Sequence, residues 1–360
     1  MLFGLILNYY IFVNLKKIKF NIKKFKILLV AFIVILSCSN DENNEIFNEP
    51  KSFTFIACEG NFGASNGSIY MINEMGEVSS VNEIGDVVQS LEVYNNKLFV
   101  IVNNSSKIIA YDITENGLSL PGIEISTNGS GPREMVIVND NLYFTNWNTN
   151  DVKVLNLFNY TVSELASFEG KPESIIYDNE NLFVGIQLNN DYSDSNKMFK
   201  INLSNNEVEE EYEIGYGPTS ILKSSTDIFV ANTYYDQNFN AFFSTSRVDL
   251  ITGETTINNY GEGVVCGGSV LKLNSDIYRS FDGGIVMLDN ELNFINDTKI
   301  GNEEPGQVYS SEIINEKVYF GITNFTDINL VKIYNSNNEL ESTIEVGLFP
   351  GDFAYWEEQQ

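Results

Sequence analysis

A two-residue turn element recurs through this chain at a nearly constant interval: Gly85-Asp86, Gly131-Pro132, Lys171-Pro172, Gly217-Pro218, Gly263-Val264, Glu304-Pro305 and Phe349-Pro350. Successive second residues stand 46, 40, 46, 46, 41 and 45 positions apart. A period in the forties with several short apolar runs inside it suits a four-stranded propeller blade. Each period holds a short strand, an Asn- or Asp-containing turn and a strongly apolar strand. The turn and apolar strand read Asn95-Asn96-Lys97-Leu98-Phe99-Val100 in one period and Asn139-Asp140-Asn141-Leu142-Tyr143-Phe144 in the next. A third strand and an alternating, amphipathic fourth complete the unit. No segment longer than a turn has helical periodicity.

The ends complement one another. After Pro350 there is room for one strand, whereas Ser52–Ala57 reads as the second strand of a blade and Ser68–Ile72 and Val78–Val81 as its third and fourth. One blade drawn from both ends makes seven and leaves no open sheet edge. The expected fold is an all-β, seven-bladed β-propeller over residues 52–360.

Ahead of it lies an address. Six lysines, Lys16, Lys17, Lys19, Lys23, Lys24 and Lys26, precede ten apolar residues, Ile27–Leu36. Ten is half the roughly 20 needed for a spanning helix, and fits the apolar region of a signal peptide. Ser37-Cys38 then resembles a bacterial lipoprotein processing site, with acylation at Cys38. Residues 1–37 are read as the signal and 38–51 as an acidic tether. A tether that begins Ser39-Asn40-Asp41-Glu42 resembles the surface-export signal of Bacteroidota lipoproteins. The expected location is the outer membrane, exposed at the cell surface, with the lipid anchor as the only membrane contact.

Charge and residue usage narrow the function. Without those six lysines the chain keeps 15 basic against 49 acidic side chains, a balance of −34, which disfavours a nucleic-acid partner. It has no histidine, and so lacks the commonest general base and the usual zinc and haem ligand. Cys38, Cys58 and Cys266 have no paired spacing, so neither a metal knuckle nor a disulfide framework is expected. No nucleophile with an adjacent base can be assembled, and a binding protein without catalytic residues, metal or cofactor is expected.

In a propeller the loop after the second strand opens on the same face as the inter-blade turn. Five of those seven loops bring an aromatic that turn chemistry does not require. The expected ligand-binding residues on this rim are Asn61, Phe62, Asn103, Asn104, Arg133, Asn146, Trp147, Tyr234, Tyr235, Phe281, Asn324 and Phe325. Aromatic planes beside amides suit a large ligand of mixed polarity, and equally an anchor for a protein partner. The alternative for any one ring is packing between blades. The acidic loop Asn189–Asn196 lacks calcium-loop spacing and is expected to be solvated. Asp282-Gly283-Gly284 is expected to be a tight hairpin turn rather than a phosphate cradle.

Several segments together resemble one propeller group. They are Cys58-Glu59-Gly60-Asn61-Phe62-Gly63, Asn66-Gly67-Ser68-Ile69-Tyr70, Gly85-Asp86-Val87-Val88-Gln89-Ser90, Val102-Asn103-Asn104-Ser105 and Val346–Phe353. The pattern is similar to that of YncE-like lipoproteins of Bacteroidota, including surface propellers that bind vitamin B12. Cys58 stands where that motif usually has Asn, and Ile84 and Leu91 replace Leu and Met. The resemblance implies non-covalent capture of a corrinoid and its transfer to a TonB-dependent outer-membrane transporter. The alternative is a scaffold or adhesion propeller that binds another protein on the same face.

Overall fold

A computed structural model describes residues 51–263, 268–326 and 329–359. The signal, Cys38 and nearly all of the tether lie outside the described residues, as does Cys266.

The strands assemble into seven antiparallel sheets, and the seven-bladed propeller expected from the repeat is the observed fold. Numbering each blade from its innermost strand, the first strands are Pro350–Glu357, Val88–Tyr94, Pro132–Val138, Lys171–Asp178, Pro218–Ser224, Val270–Leu273 and Val308–Ile314 for blades 1 to 7. In blade 1, Pro350–Glu357 pairs antiparallel with Ser52–Cys58, from Phe53 opposite Trp356 to Ala57 opposite Asp352. Blade 2 has an extra element. Its third strand, Lys107–Thr114, pairs with Ile123–Ser126 and also with the short Gly117–Leu118.

The second strands are mostly apolar because both of their faces are covered by neighbouring blades, and the polar residues they carry, such as Arg279 and Asn232, are buried too. Leu98, Phe99, Val100, Ile101 and Val102 are all buried, as the logic of a two-sided buried strand demands. The fourth strands sit at the outer edge. Glu207–Glu213 is exposed at every position except Tyr212, and its row of carboxylates protects an otherwise open edge from pairing with another chain.

The Asn-rich turns do a specific backbone job. Asn95, Asn139, Asn179, Ser225, Asn274 and Asn315 open the turn between first and second strands in six blades, and each has a positive φ between 46° and 57°. Asn tolerates this left-handed region better than other side chains, and the resulting turn matches the twist of a hairpin. Asp282 and Gly283 adopt φ of 49° and 74° between Phe281 and Gly284, which face each other across the hairpin. That segment is the tight turn expected from the sequence.

The core is divided into clusters between adjacent blades. Phe53, Phe55 and Trp356 of blade 1 pack with Val88, Leu98, Val100 and Ile109 of blade 2. Cys58 is a buried free thiol whose proton burial holds up to about 12.

Candidate functional site

The two sets of loops do share one rim. Towards the rim end of the second strand a backbone N–H donates to the inter-blade turn beside it: Asn103 to Val87, Trp147 to Gly131, Thr323 to Gln307 and, still within its strand, Thr233 to Gly217. In these four blades the repeated bond ties the loop to the start of its own blade.

A second repeated device aims side chains into the centre. In blade 2, Val88 faces Val102 and Ser90 faces Ile101, which leaves Gln89 as an extra residue. The same shift occurs between Pro218 and Ser220, between Val308 and Ser310, and between Pro350 and Asp352. Blades 3 and 4 have it after Pro132 and Pro172. A β-bulge at the head of an inner strand turns the inserted side chain out of the ladder. Gln89, Arg133, Glu173, Thr219, Tyr309 and Gly351, each one residue past the start of the bulge, all line the central channel, a cavity of about 470 Å³.

Above the channel, on the side of blades 1, 2, 3 and 7, a second cavity of about 610 Å³ forms a slot. Phe62, Trp147, Phe325, Phe349 and Tyr309 supply its aromatic surfaces, and Asn103, Asn104, Gln89 and Glu59 its polar groups. Glu59, Gln89, Arg133 and Tyr309 belong to both cavities, so the slot and the channel share these four side chains.

Arg133 is the centre of this junction. Its Nε and Nη2 donate to the two carboxylate oxygens of Glu173 at 2.9 and 2.7 Å, and Nη1 donates to Gln89 Oε1 at 2.8 Å. The guanidinium lies 4.6 Å from the Trp147 ring centroid, a stacked cation–π contact. Burial pushes Arg133 towards losing its proton, but the charge and bonds of Glu173 outweigh this and hold the guanidinium positive. Trp147 Nε1 is buried without a hydrogen-bond partner.

Asp86 organises the neighbouring loop. Its carboxylate accepts the Gly63 N–H at 2.9 Å and the Asn104 side-chain amide, while its own N–H donates to Ser105 Oγ at 2.9 Å. Asn103 Nδ2 donates to the Pro132 carbonyl at 2.8 Å. The separate motifs around Gly60, Asp86, Asn104 and Phe349 therefore meet in three dimensions, at one wall of the slot. Backbone strain gathers there as well. Val87, Phe325 and Phe349, all lining the slot, have φ of 62°, 61° and 57°. Such conformations cost about 1–3 kcal/mol each and mark places where the surroundings over-determine the backbone.

The channel wall is acidic. Glu59 accepts the Tyr309 hydroxyl at 2.8 Å and burial raises its pKa. Asp352 accepts the N–H of Leu91 at 2.6 Å and of Phe353 at 2.8 Å, yet burial still pushes it up to about 6. Burial, then the nearby charges of Asp352 and Glu173, raises Glu134 well above the usual carboxylate range. Glu312 and Glu92 are pushed up to about 7 by burial, with Asp352 adding repulsion.

Of the residues expected on the rim, Phe62, Asn103, Asn104, Arg133, Trp147 and Phe325 line the slot together. Tyr235 lines the channel from blade 5. Asn61 and Asn324 lie in the adjacent loops. The Asn61 N–H donates to Asn66 Oδ1, and Asn324 Oδ1 accepts the Thr326 N–H. Three of the expected residues lie away from the slot. Asn146 is 0% exposed. Its oxygen accepts the Ser130 hydroxyl and its amide donates to the Phe144 carbonyl, so it braces the blade from within. Phe281 stacks at 4.2 Å on Phe294 and at 5.9 Å on Phe243, inside the sheet packing of blades 5 and 6. Tyr234 is held between Phe242 and Tyr216, with its hydroxyl accepting from Asn259, on the blade 5 hairpin rather than in the slot. Phe281 follows the packing between blades that stood as the alternative for any one ring.

Glu59, Gln89, Phe349 and Asp352 stand within the motif segments but not among the expected ligand-binding residues, and Glu134, Glu173, Tyr309 and Glu312 stand outside both. A signal was present. In blades 3, 4, 5 and 1 the channel residue directly follows the inter-blade proline, as Arg133, Glu173, Thr219 and Gly351. In the Asn189–Asn196 loop, Asp191 Oδ1 accepts both the N–H and the hydroxyl of Ser193, closing an Asx turn.

No protein-family model matches the sequence, and no curated protein is similar to it. Solved structures share the fold. A selenium-binding protein of hypothetical assignment from Sulfolobus tokodaii superposes with a TM-score of 0.64 at 10% identity, over 87% of this chain and 94% of that one. A protein from Bacteroides fragilis, provisionally named a 6-phosphogluconolactonase, gives 0.60 at 14% identity, over 85% and 98%. Apo AztD from Citrobacter koseri gives 0.55 at 11% identity, over 86% and 98%. At these identities the likeness is one of fold and assigns no activity.

Proposed function

We propose that this chain captures a large ligand of mixed polarity, a corrinoid such as vitamin B12, in the slot at the propeller rim. The observation that carries the reading is the convergence of Phe62, Trp147, Phe325, Phe349 and Tyr309 with Asn103, Asn104 and Gln89 around one cavity of about 610 Å³. Flat aromatic surfaces contact the apolar faces of a macrocycle, and the amides meet its peripheral groups. The motifs that resemble the B12-binding propellers form one wall of the slot, which supports the same choice. In this reading Cys38 bears the lipid, the acidic tether spaces the propeller from the outer membrane, and the cargo passes to a TonB-dependent transporter. Binding is non-covalent and needs no metal or cofactor of the protein.

A second reading has its own observation. Phe62, Tyr192, Tyr216, Tyr235, Phe239 and Phe325 are all exposed on loops of the rim face. Exposed aromatics of this kind serve as anchors for a protein partner, and a scaffold role would use them without a small molecule.

Calorimetry of the chain from residue 51 onward with cyanocobalamin separates the two. Sub-micromolar binding that weakens at least tenfold in Trp147→Ala establishes the capture reading. Absence of heat at tens of micromolar ligand removes the corrinoid and leaves protein partners to be sought by pull-down from outer membranes.

A further inference from the structure

The channel below the slot has two chemically different walls. Glu59, Glu134, Glu173, Glu312 and Asp352 come from blades 1, 3, 4 and 7, whereas blades 5 and 6 contribute Thr219, Ser220, Thr233 and Ser269. Arg133 is the one cationic residue lining the cavity among the described residues; it is ion-paired with Glu173, and three of its five N–H donors bond Glu173 and Gln89. Glu59, Glu134, Glu312 and Asp352 make no ion pair with any described residue. A second observation points the same way. Ser174 lines this cavity, is only 4% exposed, and its Oγ has no hydrogen-bond partner. The cavity thus offers acceptors and an unused hydroxyl, and its single positive charge is already spoken for.

We infer that the channel receives a hydrogen-bond-donating group of the ligand seated in the slot, a primary amide or an ammonium, and rejects the carboxylate of the same shape. The inference rests on the slot being a ligand site, and it names the class of substituent that enters below it. A carboxylate in place of an amide would face four carboxyls that have no ion-pair partner, bring no N–H donor to them, and add a like charge in a poorly solvated space. An amide brings two N–H donors and an ammonium three, and neither adds a negative charge. The raised pKa values of Asp352, Glu134 and Glu312 follow from the same crowding. Around Asp352 they are accompanied by Glu92 on the blade 2 inner strand and by Arg133 and Glu173 on blades 3 and 4.

The test compares cyanocobalamin with its monocarboxylic acids, in which one peripheral propionamide is replaced by a carboxylate, by calorimetry at pH 8. At least one acid is expected to bind ten- to a hundredfold more weakly. The gap should shrink in Glu134→Gln and in Asp352→Asn, each checked for folding by its melting temperature. Amide and acid binding equally well at every position would overturn the inference while leaving the capture reading intact. If no corrinoid binds, the capture reading fails, and a smaller pair then decides the inference. Tryptamine should bind in preference to indole-3-propionate by ligand-observed NMR, with the preference lost in Asp352→Asn. Equal binding of that pair, or no binding of either, overturns it.

Discussion

The Arg133 guanidinium is clamped between the Glu173 carboxylate, at 2.7 and 2.9 Å, and the face of Trp147, 4.6 Å from its centroid. Three blade elements meet in that contact: the inner strands of blades 3 and 4 and the rim loop of blade 3. The pair places a rigid, neutralised cation at the junction of slot and channel. It also keeps the Trp147 ring in one orientation, which an aromatic binding surface requires if ordering it is not to cost affinity.

Glu173→Gln should therefore act on both stability and binding. Removing one partner of a buried ion pair strands the other, at a cost of about 3–5 kcal/mol. Thermal unfolding should show a clear fall in Tm. Cyanocobalamin affinity should fall as well, because Arg133 would no longer brace Trp147. A variant that melts like the parent would show that the clamp contributes nothing to the fold.

Asp86→Ala removes the acceptor for Gly63 N–H and the Asn104 amide. Two donors lose their partner for one substitution, so a loss of about 1–3 kcal/mol is expected. The Phe62 loop would loosen and ligand dissociation should accelerate, a change that stopped-flow measurements can read. Unchanged dissociation would mean that the loop takes no part in holding the ligand.

Acidity should stabilise the protein over a defined window. In the folded chain burial pushes Asp352 up to about 6 and Glu92 and Glu312 up to about 7, above the ordinary carboxylate range of roughly 4. The folded state thus binds these protons more tightly than the unfolded chain. Their contribution is fully present below the unfolded values and is lost as pH rises through 6 to 7. Melting temperature should be higher at pH 5 than at pH 8, and Glu92→Gln with Glu312→Gln should flatten that difference. A Tm that rises from pH 5 to pH 8 would contradict the burial assigned to these carboxyls.

Phe281→Ala and Tyr234→Ala should separate packing from binding. Phe281 stacks on Phe294 at 4.2 Å, and its truncation should cost about 3 kcal/mol of stability. Tyr234 lies outside the slot, so its removal should leave cyanocobalamin affinity within twofold. A tenfold loss in Tyr234→Ala would move the binding site towards blade 5.

The sequence alone settled the fold class, the blade count and the strand order within a blade. These depend on local patterns. Apolar runs of strand length, Asn at turns that need a positive φ, and a spacing in the forties each recur often enough to be read without any long-range contact. Half of the expected site residues also fell together, because a loop after a second strand must reach the same rim wherever it occurs. Tertiary structure decided the rest. Arg133 and Glu173 are 40 positions apart, and Tyr309 and Glu59 are 250 apart, and only the packing of one blade against another brings either pair together. The bulge at the head of the inner strands decides whether Gln89 or Thr219 faces the lumen or a neighbouring blade, a one-residue shift that leaves hydrophobic alternation almost untouched. Asn146 ends the second strand of blade 3 and Trp147 follows it directly, yet one is sealed inside the blade and the other lines the slot. Their positions differ by one residue, and burial against the neighbouring strand is what tells them apart.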